Sequence, residues 1–133
     1  PVARSFHTAT VIDGKIYVLG GYTDDDQVGC VATDRVDVYD PVADSWQQLA
    51  AMPTARSSHA AAVVDGKIYV SGGSLDSCEH SDALEAFDPV TNTWTTLASL
   101  SGGRAFHTSA AFNGKLCVFG GYSVDGRIDL VEI

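Results

Sequence analysis

One pattern of apolar and polar positions occurs three times along the chain, at residues 13–21, 65–73 and 113–121. Each copy begins with Asp-Gly or Asn-Gly, continues through a mainly apolar run and ends in a glycine pair. Such an opening is the strongest short-range signal for a two-residue type I′ hairpin turn. The run is apolar on both faces of its strand, whereas a sheet with one face in water alternates apolar and polar residues. The pattern therefore predicts antiparallel sheets that are covered on both faces.

The residues around these hairpins repeat with the same period. An arginine followed three residues later by a histidine recurs after 52 and then 48 residues, as Arg4-His7, Arg56-His59 and Arg104-His107. The first unit has four additional residues, which lie between Gly21 and Asp40. An insertion confined to one connection indicates a surface loop. We assign a single domain, 1–133, with repeat units 1–52, 53–100 and 101–133.

Each unit is predicted to form an up-and-down sheet of four strands. In the first unit the strands span 6–12, 15–20, 36–40 and 45–49. The second unit has 58–64, a copy beginning at 67, 84–88 and 93–97, and the third has 106–112, a copy beginning at 115, and 128–133. Proline after Asp40 and Asp88 ends the third strand because it removes a ladder donor. We count eleven strands and no helix.

Small sheets covered on both faces and repeated every ~50 residues predict the blades of a β-propeller. The combination of Arg-x-x-His, Asp-Gly-Lys-Ile-Tyr-Val-x-Gly-Gly, Tyr/Phe-Asp-Pro and Trp-x-x-Leu resembles the kelch repeat over essentially the whole chain. The resemblance implies an all-β, kelch-type partial propeller of two full four-stranded blades plus three strands of a third. It also implies that the first strand of each unit lies nearest the central channel. The third unit departs from the repeat, since it lacks the Asp-Pro pair and the Trp.

The formal charge of −9, from 17 acidic and 8 basic residues, excludes some classes of partner. Nucleic acids and anionic membrane surfaces both attract Lys and Arg on the binding face. The sequence has no apolar run of the roughly 20 residues that span a bilayer. Three cysteines without metal-site spacing favour a reducing compartment. We therefore expect a cytoplasmic protein that binds neither nucleic acid nor membrane.

The most regular positions of the repeat are expected to be structural. A glycine pair serves where a strand bends or another group approaches its backbone closely, and a Trp at a fixed blade position is expected to pack. These positions are Gly20, Gly21, Trp46, Gly72, Gly73, Trp94, Gly120 and Gly121. The repeated Arg and His side chains are expected to satisfy backbone carbonyls between strands and blades. In an alternative role, some arginines reach the channel mouth and bind a carboxylate.

Strand direction groups the connections by face. In an up-and-down blade, the connections from strand 2 to 3 and from strand 4 to the next blade share one face, which we call the loop face. The loop face carries long, polar connections, and binding residues concentrate on such loops. The opposite turn face carries the tight hairpins and the short Pro loops. The candidate binding residues on the loop face are Tyr22, Asp24, Asp25, Asp26, Arg56, Glu79, His80, Arg104, Tyr122 and Arg127.

Two groups of residues are weighed as metal sites. The run from Asp24 to Asp26 lacks the alternating spacing of a calcium loop, so we interpret it as a solvated acidic loop. Cys78, Glu79 and His80, together with Cys30, fit no strong zinc pattern. We expect no metal, no cofactor and no hydrolase or oxidase activity, because no catalytic triad, nucleophile elbow or phosphate loop is present in the sequence.

The sequence thus favours a non-catalytic module that recognises another protein or peptide. Resemblance to kelch proteins implies that one propeller face holds the partner, in some family members as the substrate receptor of a ubiquitin-ligase adaptor. The alternative is part of a sugar-acting enzyme on a kelch-like propeller, similar to galactose oxidase or a sugar epimerase. Fold alone does not decide between them.

An arc of fewer than three full blades is expected to leave apolar faces open at both ends. Exposed patches of this kind drive association, and an unpaired final strand is a template for another strand. We therefore expect either further blades in a longer chain or self-association of two copies into a pseudo-six-bladed ring.

Overall fold

The computed structural model describes residues 2–25, 29–77, 79–129 and 131–132, with the backbone alone at 24, 25, 29 and 30. Three antiparallel sheets form successive blades of a propeller. The first blade has the order β1 (Thr8–Ile12), β2 (Lys15–Leu19), β5 (Val36–Asp40) and β6 (Ser45–Gln48). The second has β7 (Ala60–Val64), β8 (Lys67–Ser71), β9 (Leu84–Asp88) and β10 (Thr93–Thr96), and the third has β11 (Thr108–Phe112), β12 (Lys115–Phe119) and β15 (Val131–Glu132). The predicted fold class is confirmed.

Four short strands were absent from the sequence prediction. β3 (Tyr22–Asp25) pairs with β4 (Gly29–Ala32), and β13 (Tyr122–Ser123) pairs with β14 (Gly126–Arg127). Both hairpins lie in connections that the sequence predicts as loops. β3 is polar after Tyr22, β4 reads Gly-Cys-Val-Ala, and β13 and β14 have two residues each, so none of the four strands shows a periodic alternation of apolar and polar positions. The eleven predicted strands are all present in the described residues, and those residues contain no helix.

Positive backbone dihedrals explain where the strands begin and end. Asp13 and Gly14 have φ values of 49° and 75°, as a type I′ turn requires at both central residues. Phe6 has a φ of 55°, which breaks the extended backbone, so β1 begins at Thr8 and not at residue 6. Gly20, with a φ of 57°, likewise ends β2 at Leu19. The last strand is shorter than the predicted 128–133, and residues 130 and 133 lie outside the described part of the chain.

The blades pack side by side through their sheet faces. The innermost strands β1, β7 and β11 contact one another in sequence, which places them around the propeller axis. Leu19 from the first blade packs with Ile68, Val70 and Phe87 from the second in one buried cluster. Burial of such side chains contributes roughly 1.5–3 kcal/mol each. The second blade is covered on both faces and therefore forms the centre of the molecule.

The two tryptophans occupy equivalent positions on the outermost strands. Trp94 packs against the buried cluster with its ring centroid 5.1 Å from that of Phe87, and its indole Nε1 donates to the Ala50 carbonyl at 2.9 Å. Trp46 stacks at 4.9 Å on Tyr39 and remains partly exposed. The indole N–H of a buried Trp requires a partner, and for Trp94 the neighbouring blade supplies it. None of the described elements is a helix of the length and apolarity needed to cross a membrane.

Candidate functional site

Short backbone bridges tie the loop-face connections together. The Ser5 amide donates to the Tyr22 carbonyl at 2.9 Å, and the Tyr22 amide returns a bond of 2.7 Å to the Ser5 carbonyl. Ala105 and Tyr122 form the same reciprocal pair in the third blade. Each bridge joins the segment entering a blade to the connection that follows its second strand. The two types of connection therefore share one face, as strand direction predicts.

Four aromatic side chains form a cluster on this face. The ring of Phe6 lies 6.2 Å from that of Tyr22 and 6.4 Å from that of Phe106, and Phe106 lies 6.5 Å from Tyr122. All three pairs are edge-to-face, the arrangement that the ring quadrupole favours. Phe6 and Phe106 are more than half exposed, and Tyr122 nearly so. We call Phe6, Tyr22, Phe106 and Tyr122 the aromatic cluster.

The backbone at the start of the innermost strands holds the two phenylalanines in place. Phe6, Ser58 and Phe106 occupy equivalent repeat positions, and all have positive φ values, of 55°, 51° and 57°. The Ser58 amide donates to the Phe6 carbonyl, and the Phe106 amide donates to the Ser58 carbonyl, both at 2.9 Å. Ser58 holds the equivalent position in the blade between them, and these backbone bonds link the three positions in series. A non-glycine residue with positive φ costs of order 1–3 kcal/mol and persists only where surrounding contacts hold it.

Arg127 adds a positive charge beside the aromatic cluster. Its guanidinium carbon lies 6.0 Å from the centre of the Tyr122 ring, and its Nε donates to the Tyr122 hydroxyl at 3.3 Å. The side chain is exposed. An arginine over an aromatic face gains about 0.5–1 kcal/mol at an exposed site. The β13–β14 hairpin holds the two residues together, because it pairs Tyr122 directly with Arg127.

A cleft of about 310 Å³ is lined in part by residues of the same hairpin. Its lining includes His80 from the second blade and, from the third, residues 101–104, 123–125 and Ile128. A backbone bridge between Ser74 and His80 brings the histidine to the cleft. Glu79 is exposed beside it and accepts a hydrogen bond from the Ser77 hydroxyl at 3.2 Å. Of the predicted binding residues, Tyr22, Glu79, His80, Tyr122 and Arg127 thus lie on the loop face.

The acidic loop is only partly within the described structure. Asp24 and Asp25 belong to β3, where the backbone alone is described, and Asp26 lies outside the described residues. Cys78 also lies outside them. In the described ranges, no three His, Cys, Asp or Glu side chains come together in the way that would hold a metal ion.

Arg56 and Arg104 are not on the accessible surface, which corrects their assignment as binding candidates. Both side chains are fully buried. Arg56 donates to the carbonyls of Gly72 at 2.8 Å and Ala83 at 3.1 Å, and Arg104 donates to Gly120 at 3.4 Å. These are carbonyl contacts of the kind expected from the repetition of Arg in every unit. Buried between strands, the two guanidinium groups cannot contact a partner at the channel mouth.

An acidic residue on the third strand of the same blade neutralises each arginine. The pairs are Arg4–Asp37, Arg56–Glu85 and Arg104–Glu132. In the second blade, Nη2 of Arg56 lies 2.8 Å from Oε2 of Glu85, and the Thr54 hydroxyl donates to the other carboxylate oxygen at 2.7 Å. Sequence reasoning missed these acids, although an Asp or Glu follows the first residue of the third strand in every unit. A buried arginine requires such a partner, because an unpaired charge is costly to bury.

The histidines of the second and third blades are buried at the blade junctions. Nε2 of His59 lies 2.8 Å from the Thr8 hydroxyl oxygen, and Nε2 of His107 lies 2.9 Å from the Ser71 hydroxyl oxygen. Burial lowers the pKa of His59 to about 3 and that of His107 to about 4, and the nearby charges of Arg56 and Arg104 act in the same direction. Both imidazoles are therefore neutral at physiological pH and act as packing and hydrogen-bonding groups.

We expect these two histidines to make the fold acid-sensitive. In the unfolded chain each binds a proton near pH 6.5, whereas the folded state excludes it until about pH 3–4. The unfolded state thus binds more protons below pH 6.5, so stability falls as the pH is lowered from 6.5 toward 4. Each histidine contributes a slope of up to about 1.4 kcal/mol per pH unit. Urea denaturation at pH 7, 6 and 5 measures the loss.

The matched variant is His59→Gln/His107→Gln, which removes both titrating groups and keeps a hydrogen-bonding side chain. Its stability should change much less between pH 7 and 5, even if its stability at pH 7 is lower. Equal slopes for the variant and the wild type would assign the acid sensitivity to other groups.

Phe6 and Phe106 are the site residues that sequence reasoning missed. Both lie in the predicted first strands, 6–12 and 106–112, and neither is among the candidate binding residues that the sequence indicates. One signal was available, because Ser58 occupies the equivalent position in the second unit. A position that accepts both Phe and Ser in equivalent units does not require burial of an apolar side chain.

Comparison with known proteins agrees with this architecture. The chain matches the model of the KLHDC2/KLHL20/DRC7 Kelch-repeats domain over residues 1–121. It belongs to the kelch-repeat family. With the solved structure of YjhT it shares a TM-score of 0.85 at 24% identity, over 96% of this chain and 47% of that one, which supports the fold.

Three relatives illustrate the range of similar proteins. The chain is 42% identical to Kelch-like protein 33 of Homo sapiens over 71 residues, which are 53% of this chain and 12% of that protein. It is 44% identical to Kelch-like protein terF of Aspergillus terreus over 75 residues, 55% of this chain and 16% of that protein. With the F-box/kelch-repeat protein At4g39580 of Arabidopsis thaliana it is 38% identical over 76 residues, 55% of this chain and 19% of that protein. The chain thus spans less than a fifth of the length of these relatives.

Proposed function

We propose that this chain is a non-catalytic module that binds another protein or a peptide through the loop face, with the aromatic cluster as the anchor. The observation that carries the proposal is the edge-to-face arrangement of Phe6, half-buried Tyr22, Phe106 and Tyr122, in which the other three rings are exposed and Arg127 lies beside them. Aromatic residues and arginine dominate the binding energy of protein interfaces. Their rigid rings supply large contact areas at a low cost in conformational entropy.

The strained backbone supports the same proposal. A soluble protein gains no stability from a phenylalanine that is more than half exposed and has a positive φ. Phe6 and Phe106 both combine these features on the loop face, whereas Ser58, at the equivalent position with a φ of 51°, is buried. Such a combination is expected where a side chain is presented to a partner.

A role as substrate receptor of a ubiquitin-ligase adaptor is a finer form of this proposal. Its support is the family membership and the similarity to an F-box/kelch-repeat protein. The alternative of a sugar-acting enzyme is favoured by no specific arrangement among the described residues.

Selection of peptides from a random phage-displayed library on the immobilised 133-residue chain tests the site. We expect the selected peptides to bind the wild type and to lose at least tenfold in affinity with Phe6→Ala/Tyr122→Ala, because truncation of an aromatic anchor costs 2 kcal/mol or more. Thermal stability should change little, since these rings are largely exposed.

The matched control is Val42→Ala/Val90→Ala, which removes two almost fully exposed apolar side chains from the Pro loops of the turn face. Affinity should be unchanged in this control. Peptides that bind the aromatic variant as tightly as the wild type, or that lose affinity with the control, would place the binding surface elsewhere.

The acidic run from Asp24 to Asp26, which follows Tyr22 in the sequence, provides a second test. Replacement of Asp24, Asp25 and Asp26 together with His80 by alanine is expected to weaken binding while leaving the melting temperature nearly unchanged. If the loop attracts a basic segment of the partner, the loss should appear mainly in the association rate and should shrink as salt is added. A loss that is independent of salt would contradict an electrostatic role.

A further inference from the structure

The negative charge of this chain is concentrated on the loop face. The three connections from the second to the third strand, 20–35, 72–83 and 120–130, contain nine acidic residues and only two basic ones. The other loop-face connections, 49–59 and 97–107, contain no acidic residue, and their two arginines belong to the buried ion pairs. The turns and strand ends of the turn face carry five aspartates and three lysines. The loop face therefore has an excess of seven negative charges, and the turn face an excess of two.

One exposed aspartate recurs at the same position in every blade. Asp34, Asp82 and Asp129 each lie two residues before the third strand, and all three are exposed. The backbone carbonyls of Asp34 and Asp82 accept from the amides of Met52 and Leu100, both at 2.8 Å. In the part of the chain that the structure describes, none of the three carboxylates takes part in an ion pair. We call these three residues the outer aspartates, and their charges are available to a partner.

The two arginines of these connections leave the outer aspartates unneutralised. Arg35 turns toward Asp37, with Nε 2.7 Å from Oδ2 and Nη2 2.8 Å from Oδ1 of that carboxylate. Arg127 is exposed beside the aromatic cluster, but the exposed carboxylates of Asp125 and Asp129 lie two residues before and after it in the sequence. The surface around the aromatic cluster is therefore acidic in spite of Arg127.

The order of strands places the aromatic rings inside the outer aspartates. Phe6 and Phe106 precede the innermost strands β1 and β11 by two residues, just as the outer aspartates precede the third strands. Neighbouring strands lie about 4.7–4.9 Å apart, so the third strand is roughly 10 Å from the first. An extended peptide advances about 3.3 Å per residue, so this distance corresponds to about three residues. A peptide centred on the aromatic cluster thus reaches the outer aspartates with side chains about three positions from its centre.

We propose that the partner of the loop face is a basic peptide segment. Its centre packs on the aromatic cluster, and its flanking Lys or Arg side chains pair with the outer aspartates. Charge complementarity selects this class of partner, because an acidic segment would meet the excess of negative charge and an uncharged one would gain nothing from it. This inference rests on the proposed function, since it takes the aromatic cluster as the anchor.

The peptides selected from the random phage-displayed library on the immobilised chain test the charge of the partner. We expect Lys and Arg to outnumber Asp and Glu in them, with basic residues on both sides of the position that packs on the rings. Asp34→Asn/Asp82→Asn/Asp129→Asn should weaken their binding about five- to a hundredfold at about 50 mM salt, because each lost exposed pair contributes modestly. The loss should shrink to about threefold or less at about 500 mM salt, where exposed charges are screened.

The matched control removes the same number of charges from the opposite face. Asp13→Asn/Asp44→Asn/Asp65→Asn lies on the turn face, and the chain itself has Asn92 and Asn113 at the equivalent positions of other units, also with positive φ. Both triple variants therefore have the same net charge. Affinity for the selected peptides should change less than about twofold in this control, because its charges lie beyond the Debye length of roughly 8–10 Å from the site.

The outcomes separate this inference from the proposed function. Selected peptides without an excess of Lys and Arg, equal losses in the two triple variants, or a loss that persists at high salt would each overturn the basic partner. The proposed function would stand in these cases if Phe6→Ala/Tyr122→Ala still weakened binding. Peptides that bind this aromatic variant as tightly as the wild type would overturn both.

Discussion

We expect Arg56→Ala to lower the free energy of unfolding by about 3–5 kcal/mol, a large part of the stability of a domain of this size. The substitution leaves Glu85 buried without its counter-ion and removes the donor to the Gly72 and Ala83 carbonyls. Removing one member of a buried ion pair is costly because the remaining charge stays out of water. Urea denaturation at pH 7 measures the change.

Lys67→Ala is the matched control, because Lys67 forms an ion pair of 3.4 Å with Asp88 in the same blade but remains half-exposed. Exposed pairs contribute about 0–1 kcal/mol. The double substitution Arg56→Met/Glu85→Leu should recover part of the loss, since neither charge then remains buried. A loss of less than 1 kcal/mol for Arg56→Ala, or one equal to that of Lys67→Ala, would show that the buried pair does not hold the blade together.

Gly72→Ala should be nearly as damaging, with an expected loss of about 2–5 kcal/mol. An added Cβ would lie 2.5 Å from the Arg104 carbonyl oxygen and 2.6 Å from Cε1 of His107, both in the next blade. The residue also has a φ of +59°, where an L side chain costs roughly 1–2 kcal/mol. Forcing a methyl group into a packed contact adds typically 1–3 kcal/mol. The same denaturation assay measures the effect.

Substitutions at two other glycines separate the steric contribution from the backbone contribution to the loss expected for Gly72→Ala. Gly102→Ala should change stability by less than about 0.5 kcal/mol, because a Cβ there meets nothing within 4 Å and φ is not in the left-handed region. Gly120 shares the repeat position and has a φ of +63°, but the nearest described atom to its Cβ is the Ile128 carbonyl oxygen at 3.2 Å. Gly120→Ala should therefore cost less than Gly72→Ala. Equal losses would assign the role of Gly72 to backbone conformation alone.

The junction and the proposed binding site use different atoms of the same segment. Phe6 contributes its backbone carbonyl to the junction between the first and second blades, where it accepts from the Ser58 amide, and its side chain to the aromatic cluster. The backbone bonds hold the residue at positive φ, where the strand is interrupted, and its ring remains exposed. Blade packing therefore provides the rigid support on which the exposed rings are presented, and the variants at Phe6 and Gly72 should separate binding from stability.

Much of the fold could be predicted from the sequence because its determinants are local and occur three times. The Asp-Gly and Asn-Gly turns specify their own dihedrals, and the runs that follow them are apolar on both faces, which requires a sheet on each side. The positions of Gly20-Gly21 and Trp94 in the repeat likewise predict structural roles. Because the same motif occurs three times, each local inference is supported by two further copies. The order of the strands and the three blades of this chain therefore followed from the sequence pattern alone.

The site depended on tertiary structure, because its parts come from separate units and from conformations without a local signal. Phe6 and Phe106 are 100 residues apart, and only the packing of three blades brings their rings to 6.4 Å. Arginine is a residue type that is usually exposed, but Arg56 is buried. The partner that allows its burial, Glu85, lies on a strand 29 positions later in the sequence. Local sequence determines turns, strands and the faces they bury, since these depend on neighbours along the chain. Which charges are buried and which aromatic rings meet depends on the neighbours of each group in space, and only the assembled blades decide that.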